Sequence, residues 1–275
     1  MERLSLAFLT LLHQVSVGSL IPLLFLKGVG KRGFLKLIAF TSLSLEGIAL
    51  GIQLLALRQC SVFDVGCWMF DPGVWSLGSG VLFFLLLAIF TALLFIRDER
   101  KSPLFLRFTL LVGGSVLCFA AVSFLPSPVS YLPSLVLLLL SFFTSALLLG
   151  SVVVAMLLGH WYLVEPGLSI GPFKRLAALY LGSCLLQGLV VLGSALFAFF
   201  GGPSSKMTLA TYPYALIGRI GLGVFIPLAI GALVWETLKI PHTQAATGLL
   251  YVAIVLVLAG ELLGRYLLAI SFIPL

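Results

Sequence analysis

Apolar runs long enough to cross a bilayer follow one another from Leu4 to Ile273, separated by short connectors, and this succession limits what the chain can fold into. A soluble domain hides one or two such runs, not a continuous series of them. Hydrophobic residues fill 61% of the 275 positions and charged residues 9%, too few polar side chains to cover a surface facing water. The expected solvent is lipid. Barrel strands would show stretches of ~10 residues alternating in polarity. Segments such as Leu135 to Leu140 are instead apolar on every face, which predicts helices.

The sequence therefore predicts an all-α integral membrane protein, residues 1–275 forming a single transmembrane domain of about eight helices. The expected spans are 4–26, 34–57, 74–96, 104–126, 132–162, 173–200, 213–236 and 245–271. The amino terminus lacks a basic region followed by a small-residue cleavage site, and its first apolar run covers about 22 residues, so it reads as a retained helix rather than a signal peptide. The fifth span exceeds a ~30 Å hydrocarbon core and should tilt or protrude. Pro22 and Pro227 lie inside spans and predict kinks whose freed carbonyls need partners. No internal repeat is legible in the residues.

A formal charge of +7 raises the question of nucleic acid, but the basic residues are scattered through short connectors and form no run. Topology accounts for them better. Lys27, Lys31, Arg32, Lys36, Arg97, Arg100, Lys101, Arg107, Lys174, Arg175 and Lys239 fall on one side, against Arg3, Arg58 and Lys206 on the other. Eleven against three predicts cytoplasmic odd-numbered connectors and both termini outside, on the periplasmic side.

The outer connector between the second and third spans carries Cys60 and Cys67, separated by six residues. In an oxidising compartment these either form a disulfide or remain two free thiols, and the sequence leaves both open. No further Cys or His nearby completes four ligands, so no metal site is expected there. Cys118 and Cys184 lie within spans, where a thiol behaves as a small hydrophobe.

The informative residues are polar groups deep inside spans, where a central charge costs roughly 2.5–3.5 kcal/mol on insertion scales and must face a partner, water or a ligand. They are His13 and Gln14 in the first span, Glu46 in the second, Gln187 in the sixth, Arg219 in the seventh, and Glu261 with Arg265 in the eighth. His13, Arg219, Glu261 and Arg265 should share the outer half of the membrane. Glu261 and Arg265, four residues apart, share a helix face and can pair, leaving Arg219 as a surplus positive charge if it joins them. One reading is an ion-pair network docking the seventh and eighth helices, helped by Gly260 and Gly264. The other is a cleft in which these groups, with His13 and Gln14, hold a quinone head group, His13 serving as the base that takes a proton. Glu46, beside Gly47 and Gly51, reads either as a packing hydrogen bond or as a relay. His13 and His160 lie near opposite faces on parallel helices, so a haem held between them is not expected. Trp161 and Tyr162 read as an interface belt. No motif supplies a nucleophile constellation, phosphate loop or metal spacing, so no turnover by the chain alone is expected.

The last two spans carry a resemblance. Arg219, a long apolar run to Trp235, a connector containing Pro241, and then Leu256 to Arg265 reading LVLAGELLGR are similar to the carboxy-terminal helix pair of the DMSO reductase membrane anchor subunit family, related to the NrfD and polysulfide reductase anchors. The first span, LLHQVSVGSLIPL with Gln14 and Gly18 followed by Lys27-Gly28, and Leu77 to Phe84, LGSGVLFF, resemble the same family. The resemblance implies an inner (cytoplasmic) membrane protein. It implies an iron–sulfur subunit and a molybdopterin catalytic subunit docked on the outer face, with menaquinol or ubiquinol exchanging electrons and no haem in the anchor itself. The family's acidic residue at the start of the third helix has no counterpart in Val74-Trp75-Ser76, and the histidine ending the second helix is missing around Leu57 to Cys60. A quinone site here would then be built differently, from His13 and Glu46, or be absent. The alternatives are a non-catalytic structural subunit of a respiratory or photosynthetic assembly, and a small-solute transporter, which the lack of inverted repeats disfavours.

Overall fold

In lipid a backbone must satisfy its own N–H and C=O groups, and each expected span does so by forming a helix. The computed structural model describes residues 3–26, 32–57, 72–96, 102–124, 132–165, 168–200, 213–240 and 242–271. Its helices are α1 (Arg3–Leu20), α2 (Arg32–Leu57), α3 (Pro72–Ile96), α4 (Ser102–Val122), α5 (Leu132–Val164), α6 (Gly171–Phe200), α7 (Pro213–Lys239) and α8 (Thr243–Ser271). All eight are long and apolar enough to cross a membrane, and among the described residues there is no strand. The chain is an all-helical multi-pass membrane protein. Taken over the apolar segments, the first of which runs Leu4–Leu24 through the turn after α1, no expected span end differs from the observed one by more than four residues. Cys60 and Cys67, and the basic residues at 27, 31, 58, 97, 100, 101 and 206, lie outside the described residues.

The order of helix contacts divides the bundle into two rings of four. In the first, α1 packs on α2, α2 on α3, α3 on α4 and α4 back on α1; in the second, α5 packs on α6, α6 on α7, α7 on α8 and α8 back on α5. The rings meet along a seam where α1 and α4 face α5, and α1 also faces α8. The central helices are α1 and α5, whose apolar windows are 72% and 67% buried against 39% or less for each of the others. Peripheral helices turn large side chains such as Phe40, Leu55, Leu111, Leu189, Phe200 and Val255 outward, as a lipid-facing surface requires.

The seam is tight because it is lined by glycine. A Cβ on Gly18 of α1 would lie 1.9 Å from the Ala146 carbonyl oxygen of α5, and one on Gly150 would lie 2.0 Å from the carbonyl carbon of Gly18. The two backbones touch, as small residues permit in membrane helix pairs.

Both prolines mark departures from α geometry. At Pro22, α1 gives way to a 3-10 turn, Ile21–Leu24, and the Pro22 carbonyl accepts from the Phe25 N–H at 3.0 Å. Before Pro227, α7 widens into a π segment, Gly221–Phe225, in which the Ile226 N–H donates to the Gly221 carbonyl. The Tyr180 hydroxyl of α6 donates to the Pro227 carbonyl at 2.8 Å, its ring lying where Gly231 leaves room. Tyr180→Phe should cost about 0.5–1 kcal/mol in thermal unfolding with the fold retained.

At the opposite end from Arg265, Trp161 and Tyr162 do not form a simple belt. Tyr162 is turned inward, stacked on Phe173 at 5.4 Å with its hydroxyl donating to the Ser169 carbonyl, while Trp161 packs over Gly33 and Phe34. The space between α5 and the starts of α2 and α6 draws both rings into packing.

Candidate functional site

A helix buried on every side must find partners for each polar group it carries, and a stretch of α5 from Ser141 to Ser145 does this for three neighbouring helices. Arg265 Nη2 of α8 donates to the Ser141 carbonyl at 3.0 Å, and Gln14 Nε2 of α1 donates to the Phe142 carbonyl at 3.3 Å. The Thr144 hydroxyl meets Gln187 Oε1 of α6. The Ser145 hydroxyl donates to Glu261 Oε2 at 2.6 Å and lies 3.4 Å from Gln14 Oε1. Every one of these side chains is buried.

Arg219 is brought to this network by the π segment and a second glycine contact. A Cβ on Gly260 of α8 would lie 2.2 Å from Gly223 Cα, so α7 and α8 touch through backbone there, and Arg219, one turn before Gly223, reaches Glu261. Its Nη1 donates to Glu261 Oε1 at 2.8 Å and its Nη2 to Oε2 at 3.2 Å. This two-bond geometry is the strong form of a guanidinium–carboxylate pair. Gly260 thus makes the expected contact, but with Gly223 across the interface.

Arg265 comes no closer to Glu261 than 3.9 Å, and its guanidinium lies over the Phe142 ring, 4.0 Å from the centroid. Arg219 takes the two-bond contact and Arg265 the longer one, so two arginines share one carboxylate and one positive charge is in surplus.

His13 and Glu46 form a separate pair inside the first ring. His13 Nδ1 and Glu46 Oε1 are 2.9 Å apart, and both side chains are 0% exposed. His13 Nε2 and Glu46 Oε2 have no partner, although both are buried. On α3, Gly80 faces this pair: a Cβ there would stand 3.6 Å from Glu46 Oε1 and 3.8 Å from His13 Cε1. The adjacent residues His13 and Gln14 therefore face different rings, one toward Glu46 and the other across the seam toward α5. A single cleft holding all six candidates is not what the contacts describe; there are two polar centres joined through one turn of α1.

The bonded Oε1–Nδ1 contact fixes the orientation of the imidazole and leaves Nε2 as the ring's free position. Together with Glu46 Oε2, it makes two buried polar atoms of the pair without a hydrogen-bond partner. Both oxygens of Glu261 are taken by Arg219, and one of them also by Ser145, which suits positioning. His160 lies on an exposed face, 3.4 Å from the Tyr251 hydroxyl, in surroundings unlike those of His13. Among the described residues no group of three or more His, Cys, Asp or Glu could hold a metal ion.

Ser141, Ser145, Thr144 and Gly80 were not legible as site residues. Most hydroxyls in these helices bond their own backbone one turn back, as Thr91 does to Leu87 and Thr109 to Phe105, so residue type does not distinguish the few that reach across. No family model matches the chain, and no curated protein matches it.

Proposed function

We propose that the chain is a haem-free membrane anchor subunit of a multisubunit redox complex in the inner membrane. It exchanges electrons between menaquinol or ubiquinol and an outward-facing iron–sulfur partner attached to a molybdopterin-type catalytic subunit. The observation that carries this reading is the His13–Glu46 pair, fully buried, with one unpartnered atom on each residue and a glycine opposite. The resemblance of LVLAGELLGR and LLHQVSVGSLIPL to the anchor family supports it, and the distribution of basic residues supports a topology with both termini outside.

Oxidation of a quinol to a quinone releases two protons and two electrons. The pair supplies two acceptor atoms: His13 Nε2 for one hydroxyl proton, and Glu46 Oε2 for the second, directly or after the first has left. The two electrons pass to the iron–sulfur centres of the partner subunit. Arg219 and Glu261 hold α7 and α8 together beside Gln14 and so set the position of α1, which carries His13. Gly80 lets α3 approach the pair closely, a Cβ there standing only 3.0 Å from Leu50 Cδ2.

In the assembled complex, His13→Gln should lower quinol oxidation about 100-fold with the complex intact, since it removes the base while keeping a polar side chain. Gly80→Val, which keeps both members of the pair but crowds them and Leu50, should also lower quinol oxidation. Unchanged rates in both variants would refute the site. A second reading, a non-catalytic structural subunit, rests on the Arg219–Glu261 pair and the Gly18–Gly150 crossing, which are satisfied within the chain and serve docking without any ligand.

A further inference from the structure

We propose that the Arg265 guanidinium and the Ser141 hydroxyl, where α8 meets α5 at the seam between the rings, form a binding site for one small monovalent anion, a halide or a small carboxylate.

Among the described residues, the buried acids are Glu46 and Glu261 and the buried arginines are Arg219 and Arg265. Glu46 belongs to the separate centre with His13 inside the first ring, and Glu261, at the seam, gives both oxygens to Arg219. Arginine stays charged under all ordinary conditions. Arg265 therefore brings one positive charge into a dry interior, 1% exposed, with its closest carboxylate oxygen 3.9 Å away and already bonded to Arg219 and Ser145. An uncompensated buried charge is among the costliest features a fold can carry.

The hydrogen bonds give the same answer. A guanidinium has five N–H bonds in its plane. Arg265 donates from Nη2 to the Ser141 carbonyl, while Nε and Nη1, with three N–H bonds between them, have no acceptor. The Phe142 ring covers one face of the guanidinium and so contributes cation–π attraction, but it accepts nothing from the in-plane N–H groups. Ser141 Oγ is itself buried without a partner, although most hydroxyls in these helices bond their own backbone. The apolar cluster around Phe142, comprising Ala120, Ala121, Phe124, Leu138, Leu268 and Ala269, offers no side-chain acceptor. A neutral acceptor would satisfy the N–H groups and leave the charge. An anion satisfies both, and the surplus of one charge sets its valence.

The test uses the purified full chain in lipid nanodiscs, with radiolabelled chloride as the probe and gluconate as the replacement anion at constant ionic strength. Saturable uptake of one chloride per chain is expected, with a Tm that rises with chloride concentration. Arg265→Gln should abolish the uptake, and Ser141→Ala, which keeps the backbone carbonyl, should weaken it about tenfold. Displacement by bromide alone would assign a halide, and displacement by formate a small carboxylate. If Arg265→Gln does not fold, the Ser141→Ala shift decides. Absence of saturable uptake, or uptake that survives Arg265→Gln, or uptake unchanged in Ser141→Ala when Arg265→Gln does not fold, overturns the proposal.

Discussion

Glu261→Gln is expected to destabilise the chain more than any other single side-chain change at the site. The carboxylate receives both terminal nitrogens of Arg219 and the Ser145 hydroxyl, and it is also the nearest negative charge to Arg265. Its neutral replacement leaves two guanidinium groups facing one another in a dry interior. Breaking a buried pair in this way costs about 3–5 kcal/mol, because the remaining partner stays buried and uncompensated. Thermal unfolding in nanodiscs should show a large fall in Tm together with a lower yield of folded protein. The double variant Glu261→Gln with Arg219→Gln should recover part of the loss, since it removes one of the stranded charges. A Glu261→Gln protein as stable as the natural chain would mean that the pair does not hold α7 to α8.

The second large effect is expected at the glycine crossing between the rings. Gly18→Leu must place a side chain where the Ala146 carbonyl oxygen stands, 1.9 Å from the new Cβ, and the obstacle is backbone with no rotamer to yield. Overpacking among flexible side chains already costs about 1–3 kcal/mol, so here the helices must separate or the chain fail to fold. Even Gly18→Ala should lower Tm. Gly51→Ala and Gly78→Ala provide the contrast, because a Cβ at either position meets nothing within 4 Å. Those two changes should be neutral or slightly stabilising, as alanine favours a helix over glycine by up to about 1 kcal/mol. Equal effects at all three positions would place the seam elsewhere.

These two predictions also show where sequence reading reached and where it stopped. The eight spans were legible because lipid demands long apolar segments, and that demand is written in every residue from Leu4 onward. That His13, Gln14, Glu46, Arg219, Glu261 and Arg265 would turn inward was legible for the same reason, since a polar group in a span needs a partner. Their partners were not. Spacing along α8 points Glu261 at Arg265, but the Gly223–Gly260 contact brings Arg219 in from α7, and a contact between helices leaves no periodic trace. His13 and Glu46, 33 residues apart, were each identifiable as unusual and became a pair only once α1 lay against α2. The two-ring arrangement was likewise hidden, because it resides in the order of helix contacts, and the residues of the two halves show no matching pattern.

The same physical logic links fold to function. The glycine contacts are positioned so that glutamines of α1 and α6 and charged residues of α7 and α8 gather around one stretch of α5, and α1, which joins both polar centres, is the most buried helix of all. A movement at the Arg219–Glu261 pair would be felt at His13 through Gln14 and its neighbour.

The most direct test of the anchor reading is to purify the native assembly in gentle detergent, identify its subunits by mass spectrometry and assay the extract for quinone and haem, in parallel with an assembly carrying His13→Ala. The account expects quinone and an iron–sulfur subunit in the natural assembly, no stoichiometric haem b, and loss of both bound quinone and quinol oxidation in the variant. An assembly that contains neither quinone nor an iron–sulfur subunit, or one in which His13→Ala retains both quinone and activity, would contradict it.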